Sequence, residues 1–167
     1  MPPDPGQPGP LELLVLQPTP FCNLDCSYCY LPDRQSTRQM SPEVLEQAFA
    51  WVFASGLVRE PFTLLWHAGE PLVLPVSFYE TAADLLRRHN VANVPILQSF
   101  QTNATLLDAG WCAFLRRPGL HLGVSVDGPD FLHDCHRRTR VCAGDYRRMA
   151  RSTRALVLRM YGMVPAA

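Results

Sequence analysis

Four short apolar runs recur along this chain, separated by segments with helical periodicity or dense polar motifs. They are 11–17 (LELLVLQ), 62–67 (FTLLWH), 94–102 (VPILQSFQT) and 120–126 (LHLGVSV). The first is apolar almost throughout, which fits a strand buried on both faces of a parallel sheet. Between the runs the spacing predicts helices. Ser41-Pro42-Glu43 supplies a cap, an N1 proline and a first-turn acid. Val44, Leu45, Ala48, Phe49, Val52 and Phe53 give that helix its apolar face, and Gly56 can end it. Ser77–Asn90 and Leu106–Arg117 read as the second and third helices. Strand then helix, four times over, predicts βαβ units around a parallel sheet with right-handed crossovers. An eight-unit barrel takes about 250 residues, roughly 30 per unit. The 167 residues here leave room for four units and a fragment of a fifth, so the expected class is α/β.

Each strand runs into an unusual polar segment: the cysteine-bearing loop after Gln17, His67 to Pro71, Gln101 to Asn103, and Ser125 to Asp127. Parallel strands place all four ends on one edge of the sheet, the edge that carries the active site in barrels and open α/β sheets. Motifs scattered over a hundred residues are therefore expected around one cavity. Each motif also has an ordinary reading. Asp127-Gly128 is a common turn pair, Arg137 stands among Arg138 and Arg140 in what reads as a solvated face, and His67 fits a core histidine as well as a ligand contact.

The loop after Gln17 reads Cys22-Asn-Leu-Asp-Cys26-Ser-Tyr28-Cys29, a C-x3-C-x2-C spacing. Three thiolates this close can hold three irons of a [4Fe–4S] cube, which usually takes four cysteines. The fourth iron is then open to a small molecule, as an open position is at a catalytic zinc. The same cysteines could instead bind zinc with a distant fourth ligand, or form one disulfide plus a spare. Zinc ribbons pair two C-x2-C knuckles, and a disulfide framework belongs to small secreted proteins; the sequence shows neither a second knuckle nor a secretory signal. Cys112, Cys135 and Cys142 read as thiols outside the cluster, Cys112 as a small apolar residue on a helix.

Composition narrows the setting. Fifteen arginines and fifteen acids balance to zero, with no lysine, so no overall field steers the chain to nucleic acid or membrane. No apolar run approaches the roughly 20 residues that span a bilayer. Six cysteines without a signal peptide point to metal chemistry in a reducing cytoplasm. The first ten residues, MPPDPGQPGP, cannot form a helix or a central strand and read as a disordered leader.

The cysteine spacing, with an aromatic residue just before Cys29, resembles the radical S-adenosylmethionine (radical SAM) superfamily. The resemblance implies the N-terminal part of a partial TIM barrel, with Cys22, Cys26 and Cys29 on a [4Fe–4S] cluster whose open iron is chelated by SAM. An electron from the cluster then cleaves SAM, and the resulting 5′-deoxyadenosyl radical abstracts hydrogen from substrate. Tyr28 would pack near the adenine. Ala68-Gly69-Glu70-Pro71 is similar to the GGEP motif that holds the SAM amino group, with Ala68 where the first Gly is usual. Gln101-Thr102-Asn103 resembles the QTNG segment, with Ala104 replacing its Gly, a strained choice if φ there is positive. Ser125 and Asp127, in SVDGP, stand where peptide-modifying members contact the SAM ribose, and Arg137 where sulfatase-maturating relatives pair with the SAM carboxylate.

Within the superfamily, LLVLQPTPFCNLDCSYCYLPDR, WHAGEPLVLPVSFYE, QSFQTNAT and GVSVDGPDFLHD look like SPASM-type peptide maturases. They are most similar to those forming cyclophanes in glycine-rich-repeat peptides. That implies a glycine-rich precursor peptide, an electron donor such as flavodoxin or ferredoxin, and a new bond between an aromatic carbon and a nearby β-carbon. The resemblance spans roughly residues 11–140. Val141 to Ala167 is arginine-rich, with Arg147, Arg148, Arg151, Arg154 and Arg159 against Asp145 alone, and Tyr146 to Met160 could form a helix. The two further strands and the SPASM extension of such maturases are not in this sequence. The expectation is a truncated or frameshifted product, retaining at most iron–sulfur and SAM binding; the alternatives are a short protein completed by a partner and a zinc-binding interaction module.

Overall fold

The computed structural model describes residues 8–141 and 143–160, the last two by their backbone only. Residues 1–7 of the expected leader lie outside it, as does Cys142. Four strands, β1 (Leu13–Leu16), β2 (Phe62–Trp66), β3 (Ile96–Thr102) and β4 (Leu120–Val124), form one sheet in the order β1-β2-β3-β4. All three pairings are parallel. The crossovers carry α1 (Pro42–Ala54), α2 (Val76–His89) and α3 (Ala109–Leu115); α4 (Asp130–His136) and α5 (Tyr146–Met160) follow β4. This is the α/β architecture read from the strand and helix alternation.

Local chemistry explains most boundaries. Ser41 caps α1, its side chain accepting from Val44 N–H, with Pro42 in the first turn. Asp108 accepts from Trp111 N–H and so starts α3 three residues later than Leu106, the start expected from the apolar pattern. α4, at seven residues, shows less than two full turns of periodicity and so leaves no helical signature in the sequence.

The register stacks one face in rows: Leu14 beside Leu64 beside Gln98 beside Leu120, and Leu16 beside Trp66 beside Phe100 beside Leu122. Against these rows packs a cluster of Trp66, Phe78, Tyr79, Phe100, Trp111 and Phe114, with neighbouring ring centroids 4.9–6.4 Å apart. Most of these contacts are edge-to-face, the arrangement aromatic quadrupoles favour. They seat α2 and α3 beneath β2 and β3. The opposite face is open among the described residues: Leu13, Val15 and Leu97 are 50%, 48% and 44% exposed. β1 is thus buried on one face, not two, because the helices cover only one side of the sheet. Among the described residues, no helix is long and apolar enough to cross a membrane.

Candidate cofactor site at the strand ends

The cysteine loop has little regular structure, and its backbone is satisfied from far along the chain. Cys22 N–H donates to Arg34 O at 3.1 Å, Asp25 N–H to Arg138 O at 2.7 Å, and Ser27 N–H to His136 O at 3.0 Å. Leu24, buried, forms an antiparallel bridge with Thr139. The Arg140 guanidinium donates to Cys22 O at 2.7 and 3.1 Å and to Arg34 O at 2.5 Å. Arg34 donates to Cys26 O at 2.9 Å and pairs with Asp25 at 2.9 Å. Arg140, read from sequence as part of a solvated face, is a clamp on the thiol-bearing loop. Asn23 fastens the other side, donating to Thr105 Oγ1 and accepting from the Asn103 amide at 2.8 and 2.9 Å.

The turn after β2 packs against the entry to this loop. Gly69 has φ +65°, and a Cβ there would lie 2.3 Å from Thr19 O and 2.8 Å from Phe21 O. Only glycine permits that approach. Glu70 N–H donates to Phe21 O at 2.8 Å. The Glu70 carboxylate is 1% exposed and accepts Leu72 N–H at 3.0 Å, Thr102 O–H at 2.5 Å and Asn103 N–H at 2.8 Å. Burial pushes its pKa up against the opposing effect of these bonds. Glu70 therefore ties the end of β2 to the end of β3. Pro71 opens a single 3-10 turn, Pro71–Val73, whose first carbonyl accepts the Tyr79 hydroxyl at 2.7 Å, joining the aromatic core to the site. Both alanines that stand where glycine is usual have positive φ, Ala68 at +68° and Ala104 at +59°. The left-handed region costs an L-residue about 1–2 kcal/mol, so both turns hold their shape against local strain.

These elements enclose a cavity of about 140 Å³. Cys22, Cys26, Cys29 and Tyr28 line one side; Gly69, Glu70, Asn103, Ser125 and Arg137 line the rest. Ala68 and Pro71 flank Gly69 and Glu70 in the same turn. His67, Tyr30, Gln101 and Thr102 also face the cavity, which takes His67 out of the core. A larger hollow of about 320 Å³ lies between α2, α3 and the opposite strand ends, but the thiols and perturbed carboxylates do not converge there.

Asp127 joins the site through its neighbours. Tyr28 O–H donates to Asp127 Oδ2, Arg137 Nε donates to the same oxygen at 3.0 Å, and the Arg137 guanidinium stands 5.7 Å from the Tyr28 ring centre. Burial works against ionisation of Asp127, but the Tyr28 and Arg137 bonds outweigh it and hold the carboxyl below its usual value. Ser125 Oγ accepts from Gln101 Nε2 at 3.0 Å. That reach depends on Gly123, where a Cβ would sit 2.4 Å from Gln101 Oε1.

The donor set suits a thiolate-bound cluster. Burial pushes the Cys22 thiol up to about 11 and raises Cys26 as well, so loading a metal would release protons here. Leu24 N–H donates to Cys22 Sγ at 3.5 Å, and the Asn103 amide lies 4.0 Å from that sulfur. Such bonds to sulfur tune iron–sulfur centres. Among the described residues, the group with ligand atoms all within 4.8 Å is His133, Asp134 and Asp145. Cys112 is buried on α3, away from the site.

Residues 16–159 match the Radical SAM superfamily. The chain belongs to this superfamily. An uncharacterised protein of Synechocystis sp. is 41% identical over 142 residues, 83% of this chain and 36% of that protein. The serine-type anaerobic sulfatase-maturating enzyme of Klebsiella aerogenes is 36% identical over 136 residues, 80% of this chain and 34% of the enzyme. A solved structure of native anSMEcpe with bound AdoMet and Cp18Cys peptide superposes with a TM-score of 0.78 at 31% identity, over 91% of this chain and 41% of that one. This chain thus spans about a third of the curated relatives' length. The superfamily implies a [4Fe–4S] cluster and SAM, and the three cavity-lining thiols beside a polar wall fit both. The match runs on through α5 to residue 159, past residue 140, where the resemblance read from the sequence motifs ends.

Proposed function

We propose that this chain supplies the cofactor-binding wall of a radical SAM enzyme that modifies a ribosomally made precursor peptide. One observation carries the reading: three cysteine thiols face the Gly69–Glu70 turn, Asn103, Ser125 and Arg137 across a single cavity at the strand ends. The similarity to sulfatase-maturating enzymes, and to a structure holding both AdoMet and a peptide, supports a peptide substrate.

The residues divide the work. Cys22, Cys26 and Cys29 ligate as thiolates. The backbone of Ala68, Gly69, Glu70 and Pro71 meets the SAM amino group, while the Glu70 carboxylate, already hydrogen-bonded three times, keeps that turn in shape. Asn103 steadies the cysteine loop through Asn23. Ser125 and Asp127 address the ribose, Tyr28 the adenine and Arg137 the SAM carboxylate. When bound, the cluster and SAM supply electron-driven hydrogen abstraction. We assign the finer chemistry to cyclophane formation in a glycine-rich precursor, with flavodoxin or ferredoxin as reductant, from the motif likeness to those maturases.

The test is anaerobic reconstitution. About four irons and four sulfides per chain are expected, lost when Cys22, Cys26 and Cys29 are changed to Ala and kept when Cys112, Cys135 and Cys142 are. Equal loss from both triple variants, or stoichiometric zinc in place of iron, refutes the cluster. As one wall of the site, the reconstituted chain alone, given SAM, a reductant and a glycine-rich precursor, should at most cleave SAM and leave the peptide unmodified; a loss of two hydrogens from the peptide, read by mass spectrometry, would refute the reading that the chain furnishes only the cofactor wall.

A further inference from the structure

Behind the cofactor cavity lies a buried polar pair with no part in the roles above. The His133 and Asp145 side chains are fully enclosed, and His133 Nε2 stands 3.0 Å from Asp145 Oδ1. The other ring nitrogen decides the tautomer. The backbone N–H of Asp127 donates to His133 Nδ1 at 3.3 Å. Nδ1 therefore presents its lone pair, and the ring proton resides on Nε2, donated to Asp145. Both ring nitrogens are engaged, so the cluster of His133, Asp134 and Asp145 offers no ring lone pair to an ion.

The surroundings hold this pair in register. Asp134 Oδ1 accepts the N–H of Tyr146 at 2.9 Å, and the Tyr146 ring meets His133 edge-on with centroids 5.4 Å apart. A Cβ at Gly144 would fall 2.1 Å from the Asp134 side chain, so glycine lets the strap before α5 close over α4. The target of the pair is equally defined. Ser125 N–H still donates to Thr102 O of β3 at 2.9 Å, but the Asp127 amide turns to His133. The Asp127 carboxylate then receives Tyr28 and Arg137.

We propose that His133 and Asp145 are a positioning dyad. Asp145 selects the tautomer of His133, His133 grips the Asp127 amide, and the Asp127 carboxylate is thereby aimed at its ligand. Burying polar groups is costly unless every bond is made, and Asp145 Oδ2 is buried here without a partner; the bonds that are made run in one directed chain to the backbone of a single site residue. The inference rests on the reading of Asp127 as a ribose contact.

The test is a double-variant cycle in the reconstituted full chain, with SAM affinity read by calorimetry. In Asp145→Asn the side-chain amide can donate to Nε2 and drive the ring proton to Nδ1, where it opposes the Asp127 N–H. SAM should bind about tenfold more weakly, the loss of roughly one well-placed hydrogen bond. Asp127→Ala should lose at least as much, and the double variant no more than Asp127→Ala alone, because the dyad acts through that side chain. Full additivity, or wild-type affinity in Asp145→Asn beside a loss in Asp127→Ala, overturns the dyad alone. Unchanged affinity in Asp127→Ala overturns the ribose reading and the dyad's role with it. A measurement on the unaltered chain covers the case of a variant that does not fold. Long-range nitrogen-15 correlation should show His133 protonated at Nε2, and a proton at Nδ1 overturns the proposal.

Discussion

Changing Glu70 to Gln swaps one oxygen of a buried carboxylate for an amide nitrogen of nearly the same shape, in a site where every neighbour is a donor. Leu72 N–H and Thr102 O–H converge on one oxygen and Asn103 N–H on the other. The Thr102 hydroxyl cannot simply reverse, because it already accepts Ala104 N–H at 3.0 Å. In either orientation Gln sets N–H against N–H. The better one keeps Leu72 and Thr102 and strands Asn103, and an unmet buried donor costs about 1–3 kcal/mol. The two surviving bonds lose their charge assistance, while relief of the desolvation that raises the Glu70 pKa works the other way. The net expectation is about 2 kcal/mol of lost stability. For a chain of this size that lowers the melting temperature by about 4–8 °C. Glu70→Ala, which removes both acceptors and leaves a void, should cost about twice as much. Thermal melting and urea midpoints measure both, and hydrogen exchange should accelerate at the Asn103 and Leu72 amides. Because Asn103 also holds Asn23, cluster content should fall along with SAM affinity, rather than affinity alone. A melting temperature for Glu70→Gln within about 1 °C of wild type would refute the clamp.

Gly69→Ala should be severe, since its Cβ would meet backbone rather than a movable side chain and φ is +65°. Reconstituted iron content and melting temperature should both drop, and normal values for both would show that the turn yields. Tyr79→Phe removes the hydroxyl that donates to Pro71 O, but that carbonyl keeps the Leu74 N–H at 3.2 Å. The loss should stay near ~1 kcal/mol by urea unfolding; a loss above about 3 kcal/mol would mean that packing, not the bond, dominates. Finally, the Cys22 thiol rises from 9.0 to about 11 in the folded chain. The protonated form is thus favoured by folding, and its contribution is complete below pH 9 and lost as pH rises through about 11. The metal-free chain should therefore melt lower across that window, and Cys22→Ser should flatten the dependence.

The sequence revealed the parallel strands to within two residues at either end, because short leucine-rich apolar runs bounded by Pro, Gly and polar turn motifs leave little choice. The edge of the sheet where chemistry gathers followed from strand direction alone. What stayed hidden involves long-range pairing. Arg140 lies in a basic run like any solvated face, and nothing local says that its guanidinium reaches two carbonyls of the cysteine region. His133 and Asp145 are twelve residues apart on either side of a strap that only the glycine at 144 hints at. The αL turns at Ala68 and Ala104 were legible as a question about strain; their positive φ values answer it. The start of α3 was misplaced because Leu106 and Leu107 continue the apolar pattern, whereas capping by Asp108 determines where the helix begins.

The fastening of the thiol loop also has a meaning in time. Arg140 closes on Cys22 across a separation of 118 residues. At a synthesis rate of about 5–20 residues per second, roughly 6–24 s pass between the making of Cys22 and of its clamp. During that interval the three thiols ride on an unfastened segment, exposed to oxidation and to adventitious metals. Cluster loading in its final geometry must therefore wait until the chain through Arg140 has emerged.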